Sequence, residues 1–594
     1  MLTIDGIFRE NVRQHRDSVA LRYYQDQNWE FITYGEMNST VNTIAHGLYD
    51  IGIHRDSKVA IMCENRPEWM VSYLAIVTAG AIAVPIDAVL GEEETGHILK
   101  HSEVSTIICS MKNYDVISRL LSDIDTLNTI IILDRNIIMR QGHKAEGLVS
   151  EIVDKVRKKN QQKNFISWEE LLDHGTNRIA LGTVEFPEKT MYDMTSILYT
   201  SGTTGSPKGV MLTHRNILSN VEAVKHIIEV TDTDNFVLLL PLHHAFPFTT
   251  CMVLPLSAGA AISFVDILSR DRTRLIMQCR PTIMVGVPLL YSKIYRNIMR
   301  QIETSKVKSA LFAYGGKKLI GFGLKKKLGG KLRIMVSGAA PMDPEVISGF
   351  VNLGIEFLEG YGLTETSPVA ACNRLGKIKI ASVGVPIPGV QVKIAEPDKD
   401  GIGEILIKGD NIMQGYYKNP EQTAKVLKDS WFFSGDLGKI DGDGYIFITG
   451  RAKDVIVTAG GKNVYPDVVE SVINKSKFIA ESIVLGFRTK GVVGEDVGVL
   501  IYPDYEALLE HAVKEGITFT EHIDLEQLTV DARDEMVEKF KTLLEHEVRT
   551  GMEKLAPYQR VTRIVIERDE FVKTSTRKIK RFLYNGRLDI MDIE

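Results

Sequence analysis

Residues 199–209 read YTSGTTGSPKG, which places five serine and threonine hydroxyls, three glycines and one lysine within eleven positions. So few apolar groups cannot sustain a core. Hydroxyls and unhindered glycine amides, however, donate hydrogen bonds to an anion, and a lysine adds a point charge. The stretch predicts a phosphate cradle built from Thr200, Ser201, Gly202, Thr203, Thr204, Gly205 and Lys208. It is not a loop of the GxxxxGK[ST] type, because its glycines and lysine are wrongly spaced and Pro207 precedes the lysine. GFGLKK at 321–326 lacks the third glycine of a dinucleotide fingerprint. His546-Glu547 has threonine at 550, where a zinc-binding helix needs its second histidine.

Further along, LEGYGLTETSP at 358–368 puts the acid Glu365 on a glycine-containing turn, and SGAAP at 337–341 reads as a strand end with Gly338 at the bend. WFFSGDLG at 431–438 carries Asp436, a carboxylate able to accept two hydrogen bonds from a diol, and TGRAKD at 449–454 carries Arg451. PLHHAF at 241–246 holds a histidine pair, and FVKTSTRKIKRF at 571–582 is a basic segment near the C-terminus. Each alone has an ordinary structural explanation: a turn, a surface acid, a hydrogen-bonded core histidine, a solvated tail. Together, and in this order, they resemble the adenylate-forming superfamily over nearly the whole chain, most of all its AMP-dependent long-chain fatty acid–CoA ligases.

The resemblance implies roles. Thr364 contacts the α-phosphate, Glu365 holds Mg²⁺, and Tyr361 and Gly362 lie by the adenine together with Ser337, Gly338 and Ala339. Asp436 binds the ribose hydroxyls with Arg451 assisting, and His244, next to His243, borders the carboxylate pocket. Lys578 bridges the acyl carboxylate and the α-phosphate. Val572 and Arg577 stand where the family's P-K-T-x-x-G-K motif has proline and glycine, and Lys573 and Lys580 compete for the same role. The hinge falls at Lys453, and Gly460 and Gly461 line the path of the pantetheine thiol. ATP and Mg²⁺ are the implied cofactors, with coenzyme A as acceptor.

A formal net charge of −5 excludes a basic nucleic-acid-binding protein. Five scattered cysteines without a CxxC pair read as free thiols in a reducing cytoplasm. The N-terminus has no apolar signal-peptide core. Two uncharged stretches, 70–86 and 235–265, are interrupted by glycine and proline, whereas a membrane span needs about 20 uninterrupted apolar residues. They are expected to form core or the wall of an apolar ligand pocket.

The elements that must position these residues alternate. Thr33 and Glu36 form a capping box for a helix to about Ile51; KVAIMC, AIAVPI and VSTIICS are short buried strands with helices between them. Such alternation predicts a parallel sheet with helical crossovers. Residues 140–164 read as a surface helix and loop, and DGDG at 441–444 as a turn lacking the later calcium ligands. Past Ser434 come short strands and turns. A smaller α/β region succeeds them, whose long helix from about Ala532 to Lys554 carries an apolar stripe of Met536, Phe540, Leu543, Leu544 and Val548. The expectation is an α/β fold. Residues 1–450 form a large domain of parallel and mixed sheets with helices and a small barrel-like subdomain, and 451–594 form a smaller mobile α+β domain.

The expected function is ATP-dependent activation of a carboxylic acid, a medium- to long-chain fatty acid, through acyl-AMP to acyl-CoA. The alternatives are an acyl-AMP ligase or carrier-protein loader, an aryl-CoA ligase, a luciferase-like oxidoreductase and a non-catalytic AMP-binding sensor. The basic, apolar-interleaved stretch 317–333 suggests peripheral contact with anionic membrane by an otherwise cytoplasmic protein. The resemblance also implies a homodimer.

Overall fold

The computed structural model describes residues 3–133, 148–160, 162–182, 184–200, 207–266, 269, 271–488, 494–520, 523, 528–574 and 578–589. The chain divides into two compact units. The first comprises Met1–Val392, Leu406–Phe433 and Gly442–Ile446; the second comprises Lys393–Ile405, Ser434–Asp441 and Phe447–Glu594.

In the first unit the predicted alternation yields an eight-stranded sheet. Its parallel part runs in the order Met194–Thr200, Ile82–Pro85, Lys58–Met62, Thr106–Ser110, Thr129–Leu133, Asn164–Ser167. Lys208–Thr213 and Gly415–Tyr416 extend it antiparallel at one edge. The parallel strands are buried on both faces, which explains their continuous Val/Ile-rich runs. The helix Tyr34–Asp50 begins with the Thr33/Glu36 capping box, each side chain bonding the other's backbone amide. Helix Pro67–Thr78 has every residue buried, hence its lack of a polar face.

A second, nine-stranded sheet carries strands Asn235–Leu238, Ile283–Gly286, Ile334–Ser337 and Glu356–Gly362 side by side in parallel. Between Asn235–Leu238 and Ala261–Phe264 the uncharged run coils into a π-helical turn, Phe248–Val253, whose six residues are all buried. Among the described residues no helix is long and apolar enough to cross a membrane, and this run is core. A five-stranded sheet of Val390–Ala395, Gly403–Gly409, Trp431–Ile440, Leu427–Lys428 and Ile446–Arg451 corresponds to the small barrel-like subdomain.

The second unit has a three-stranded sheet, Ile479–Phe487, Asp496–Pro503 and Arg563–Ile566, with helices Pro466–Ile473, Tyr505–Glu515 and Val530–Gly551. Met536, Phe540, Leu544 and Val548 of the long helix are buried, each contributing roughly 1.5–3 kcal/mol of apolar burial. Leu543 packs against that core half-buried. All five cysteines are free and buried. Residues 140–147 of the predicted surface segment lie outside the described residues, and the helix Leu148–Lys159 comes directly after them.

Candidate active site

Strand Met194–Thr200 enters the glycine-rich loop and strand Lys208–Thr213 leaves it, with Thr200 opposite Lys208. Ser201, Gly202, Thr203, Thr204 and Gly205 lie outside the described residues. The flanks of the loop are tied to helix Glu92–Ser102. His101 Nδ1 is 2.7 Å from the Tyr199 hydroxyl, and His97 Nε2 is 3.3 Å from the Pro207 carbonyl. A carbonyl can only accept, so His97 donates through Nε2. Burial, and then the neighbouring His97, hold His101 below the ordinary imidazole pKa.

The short strand Gly415–Tyr416 pairs with Lys208–Thr213 and brings in a residue that no motif announced. The Lys208 ammonium lies over the Tyr416 ring, 5.5 Å from its centroid, within cation–π range. The Tyr416 hydroxyl donates to Glu365 Oε1 at 2.8 Å. Burial first, then the adjacent Glu365 carboxylate, push the phenol far above its usual range, so it remains a donor. The loop's lysine and the motif's acid are thereby brought together through one aromatic side chain.

Glu365 is held by the turn it belongs to. Strand Glu356–Gly362 runs into the 3-10 turn Thr364–Thr366, where the Leu363 amide donates to the buried Thr366 hydroxyl at 2.9 Å. Two buried asparagines clamp the end of that turn and the start of strand Val369–Cys372. Asn220 donates to the carbonyls of Thr366 and Val369 at 3.3 and 2.7 Å, and Asn411 to the same pair at 3.0 and 3.2 Å. The Met413 amide donates to the Glu365 carbonyl at 2.9 Å. As a result Tyr361, Gly362, Thr364 and Glu365 form a partly exposed run while Thr366 is fully buried. A single half-exposed carboxylate beside a phosphate-type loop suits Mg²⁺, a hard cation that is usually bound through one or two carboxylates and phosphate oxygens.

Strand Ile334–Ser337 lies parallel to Glu356–Gly362, Ser337 opposite Glu359, and delivers Gly338 and Ala339 alongside that motif. A Cβ on Gly338 would sit 2.7 Å from the Phe246 ring, so any larger residue would displace that ring. Phe246 belongs to PLHHAF, so these two motifs touch. Ala339 adopts φ +73°, a left-handed bend rare for a residue with a Cβ. Glu359 is buried beneath this bend and accepts the Met342 amide at 3.0 Å; burial pushes its carboxyl up to about 7.

His243 and His244 lie with ring centroids 4.0 Å apart, tilted at 48°, and His243 Nε2 lies 3.3 Å from Asp87 Oδ2. Asp87, His243 and His244 form a compact donor group whose ligand atoms all lie within 4.8 Å of one another. Asp87 lies just past strand Ile82–Pro85, at the carboxyl end of a parallel strand, where α/β sheets gather ligand sites. That position was the one signal in the sequence that could have found it.

In the second unit Arg451 Nε meets Asp436 Oδ1 at 3.0 Å, with the Asp436 side chain 7% exposed. Desolvation lowers the Lys453 pKa, and Asp454, Arg451, Arg581 and Asp436 act on it electrostatically. Gly460 and Gly461 lie on an exposed turn where a Cβ would meet nothing. Lys578 is exposed on a short reversal in which its amide donates to Thr574 Oγ1 at 3.2 Å, and residues 575–577 between them, Arg577 included, lie outside the described residues. The rival Lys573 is 6% exposed and paired with Glu481 at 2.7 Å and with Glu570. Lys580 bonds the Val572 carbonyl through its amide at 2.8 Å.

Residues 8–417 match the family model described as AMP-binding enzyme. The peroxisomal long chain acyl-CoA synthetase 7 of Arabidopsis thaliana is 30% identical over 536 residues, covering 85% of this chain and 73% of that protein. The long-chain-fatty-acid–CoA ligase of Bacillus subtilis is 28% identical over 505 residues, 82% of each chain. Among solved structures, the anthranilate CoA ligase AuaEII in complex with anthranoyl-AMP superposes with a TM-score of 0.75 at 21% identity, over 100% of this chain and 98% of that one. This last likeness is one of fold.

Proposed function

The chain belongs to the AMP-binding enzyme family, and from that premise we propose that it activates a medium- to long-chain fatty acid as acyl-AMP and transfers the acyl group to coenzyme A. The observation that carries this reading is the convergence of Lys208, Tyr416 and Glu365 beside the hydroxyl- and glycine-rich loop. It sets a cation and a carboxylate where a triphosphate needs both. In the first step a carboxylate oxygen attacks the α-phosphorus of ATP, the new C–O–P bond forms, and the bond to the β-phosphate oxygen breaks to release pyrophosphate. Two anions must meet for this to happen, so catalysis rests on positioning and on fixed positive charge.

In this reading Thr200, the loop hydroxyls and Lys208 hold the outer phosphates, Thr364 the α-phosphate, and His244, beside the Asp87–His243 pair, borders the pocket for the acid's carboxylate. Asp436 with Arg451 takes the ribose diol, and Lys578 carries the charge that meets the attacking carboxylate. Glu365 would hold Mg²⁺, which neutralises phosphate charge. In the second step the thiol attacks the acyl carbon and AMP leaves; Lys453 and the Gly460–Gly461 turn serve that step. A domain boundary near residue 450 with its hinge at Lys453 belongs to the same proposal. The buried run 235–265 supplies apolar wall, and each methylene it covers is worth about 0.8 kcal/mol. Peripheral contact with anionic membrane completes the reading.

The test is ATP–pyrophosphate exchange across a panel of fatty and aryl acids, with Glu365→Gln as control. Exchange that rises with acyl chain length supports the proposal, and none with any acid removes it. An aryl-CoA ligase is the second reading, favoured by the fold match to an anthranilate CoA ligase, and the same panel separates the two. Offering coenzyme A and an acyl carrier protein together, with mass spectrometry of the products, identifies the acceptor.

A further inference from the structure

Between Thr304 and Met342 the chain contains no aspartate or glutamate, yet it holds eight lysines and one arginine. Most of that charge is exposed, carried on two successive helices. Helices Lys306–Ala313 and Lys317–Lys327 succeed each other across a short turn. The first has no buried residue at all. The second buries Leu324, which with Leu328 just beyond it joins the core cluster of Val346, Ile347 and Phe350. On its other side Leu319 and Phe322 are 65% and 69% exposed, flanked by the exposed Lys318, Lys326 and Lys327. Val307, at 77%, and Tyr314, at 90%, add large exposed side chains on the first helix and the turn. Arg333, although in the same basic run, is not part of this face, since it is paired with the buried Asp234 at 2.7 Å.

Lone exposed apolar residues need no explanation. Four of them set among seven lysines without one acid are a different matter, because this pattern matches both layers of an anionic bilayer's surface. Apolar tips enter the acyl boundary while ammonium groups on long stems meet the lipid phosphates. A protein partner would need acidic groups spread over the same area plus a pocket for Phe322. A nucleic acid would leave Leu319 and Val307 in water.

We propose that the helical pair 306–327 is a membrane-docking surface for anionic phospholipid, with Leu319 and Phe322 inserted and Lys318, Lys325, Lys326 and Lys327 on the headgroups. It names the membrane partner of the proposed function but stands on its own observations. Its chemical sense is supply: a long-chain acid partitions into bilayers, and Leu324 and Leu328 couple this helix to helix Pro344–Asn352, which the Gly338–Met342 bend feeds directly.

The experiment sediments the full-length protein with vesicles of phosphatidylcholine alone or with roughly a third phosphatidylglycerol. Wild type is expected in the pellet with the anionic vesicles only, and released by high salt. Lys318→Ala with Lys326→Ala should lower partitioning about 30-fold, and Leu319→Ser with Phe322→Ser at least about 10-fold. Far-UV circular dichroism and unfolding midpoints confirm that both variants are folded, so the outcome does not depend on whether the ligase assay succeeds. Wild type left in the supernatant, either double variant sedimenting like wild type, or tighter binding to a single-stranded oligonucleotide than to the anionic vesicles would overturn the proposal.

Discussion

Glu359 is the acid on which stability and the site geometry meet, and Glu359→Gln isolates its charge. The amide keeps the volume and the acceptor oxygen for the Met342 amide, and removes only ionisation. In the folded chain burial lifts the carboxyl from its ordinary 4.5 to about 7, with the Met342 hydrogen bond opposing. The neighbouring Cys372 thiol is pushed up to about 12 and stays neutral through this range. A raised acid pKa means the folded state holds the proton more tightly than the unfolded chain does. The stability it confers is therefore complete below pH 4.5 and is lost as pH rises through 7. A rise of this size corresponds to about 3 kcal/mol, of which about 2 kcal/mol is lost between about pH 5.5 and about pH 8. Urea unfolding of wild type and variant across that interval should give curves that diverge by this amount, the wild type losing stability relative to Glu359→Gln as the solution becomes alkaline. Parallel curves would refute the reasoning, since they would mean that Glu359 titrates alike in the folded and unfolded chains.

Tyr416→Phe removes the donor to Glu365 while keeping the ring under Lys208. A hydrogen bond to a carboxylate contributes about 1.5–3 kcal/mol of stability, so the unfolding midpoint should fall, and the loss of a fixed Glu365 orientation should raise the KM for MgATP in the exchange assay; an unmoved KM would leave Tyr416 a structural role only. Lys578→Ala should abolish acyl-AMP formation yet still convert supplied acyl-AMP to acyl-CoA, and equal loss of both half-reactions would assign the charge elsewhere. Lys573→Ala leaves the partly buried Glu481 without its close cation, and should instead destabilise the second unit by up to roughly 3 kcal/mol in thermal unfolding. Asp87→Asn should raise the KM for the acid without changing that for MgATP, because His243 loses the carboxylate that orients its ring; an unchanged KM for the acid would reduce Asp87 to a packing role.

The motifs proposed to recognise phosphate and a diol are written locally. A hydroxyl- and glycine-rich turn, a Thr-Glu pair after a strand and an isolated Asp after a glycine each fit within about a dozen contiguous residues, because backbone amides must converge on one small group. Strand and helix alternation was legible for the same reason, being set by periodicity over one element at a time. Tyr416 could not be read in this way. It acts on a residue 51 positions away, and only the antiparallel pairing of Gly415–Tyr416 with Lys208–Thr213 gives it a role. Asp87 likewise meets His243 because two strands of different sheets end near one another. Among three basic candidates near the C-terminus spacing favoured Lys578, and only the structure adds that Lys573 is committed to Glu481 while Lys578 is exposed. Sequence determined which groups this chain carries and which ligand chemistry they suit. Tertiary structure alone decided which of them share a desolvated neighbourhood, since charge interactions and proton affinities depend on distance and burial, and neither quantity exists along a line.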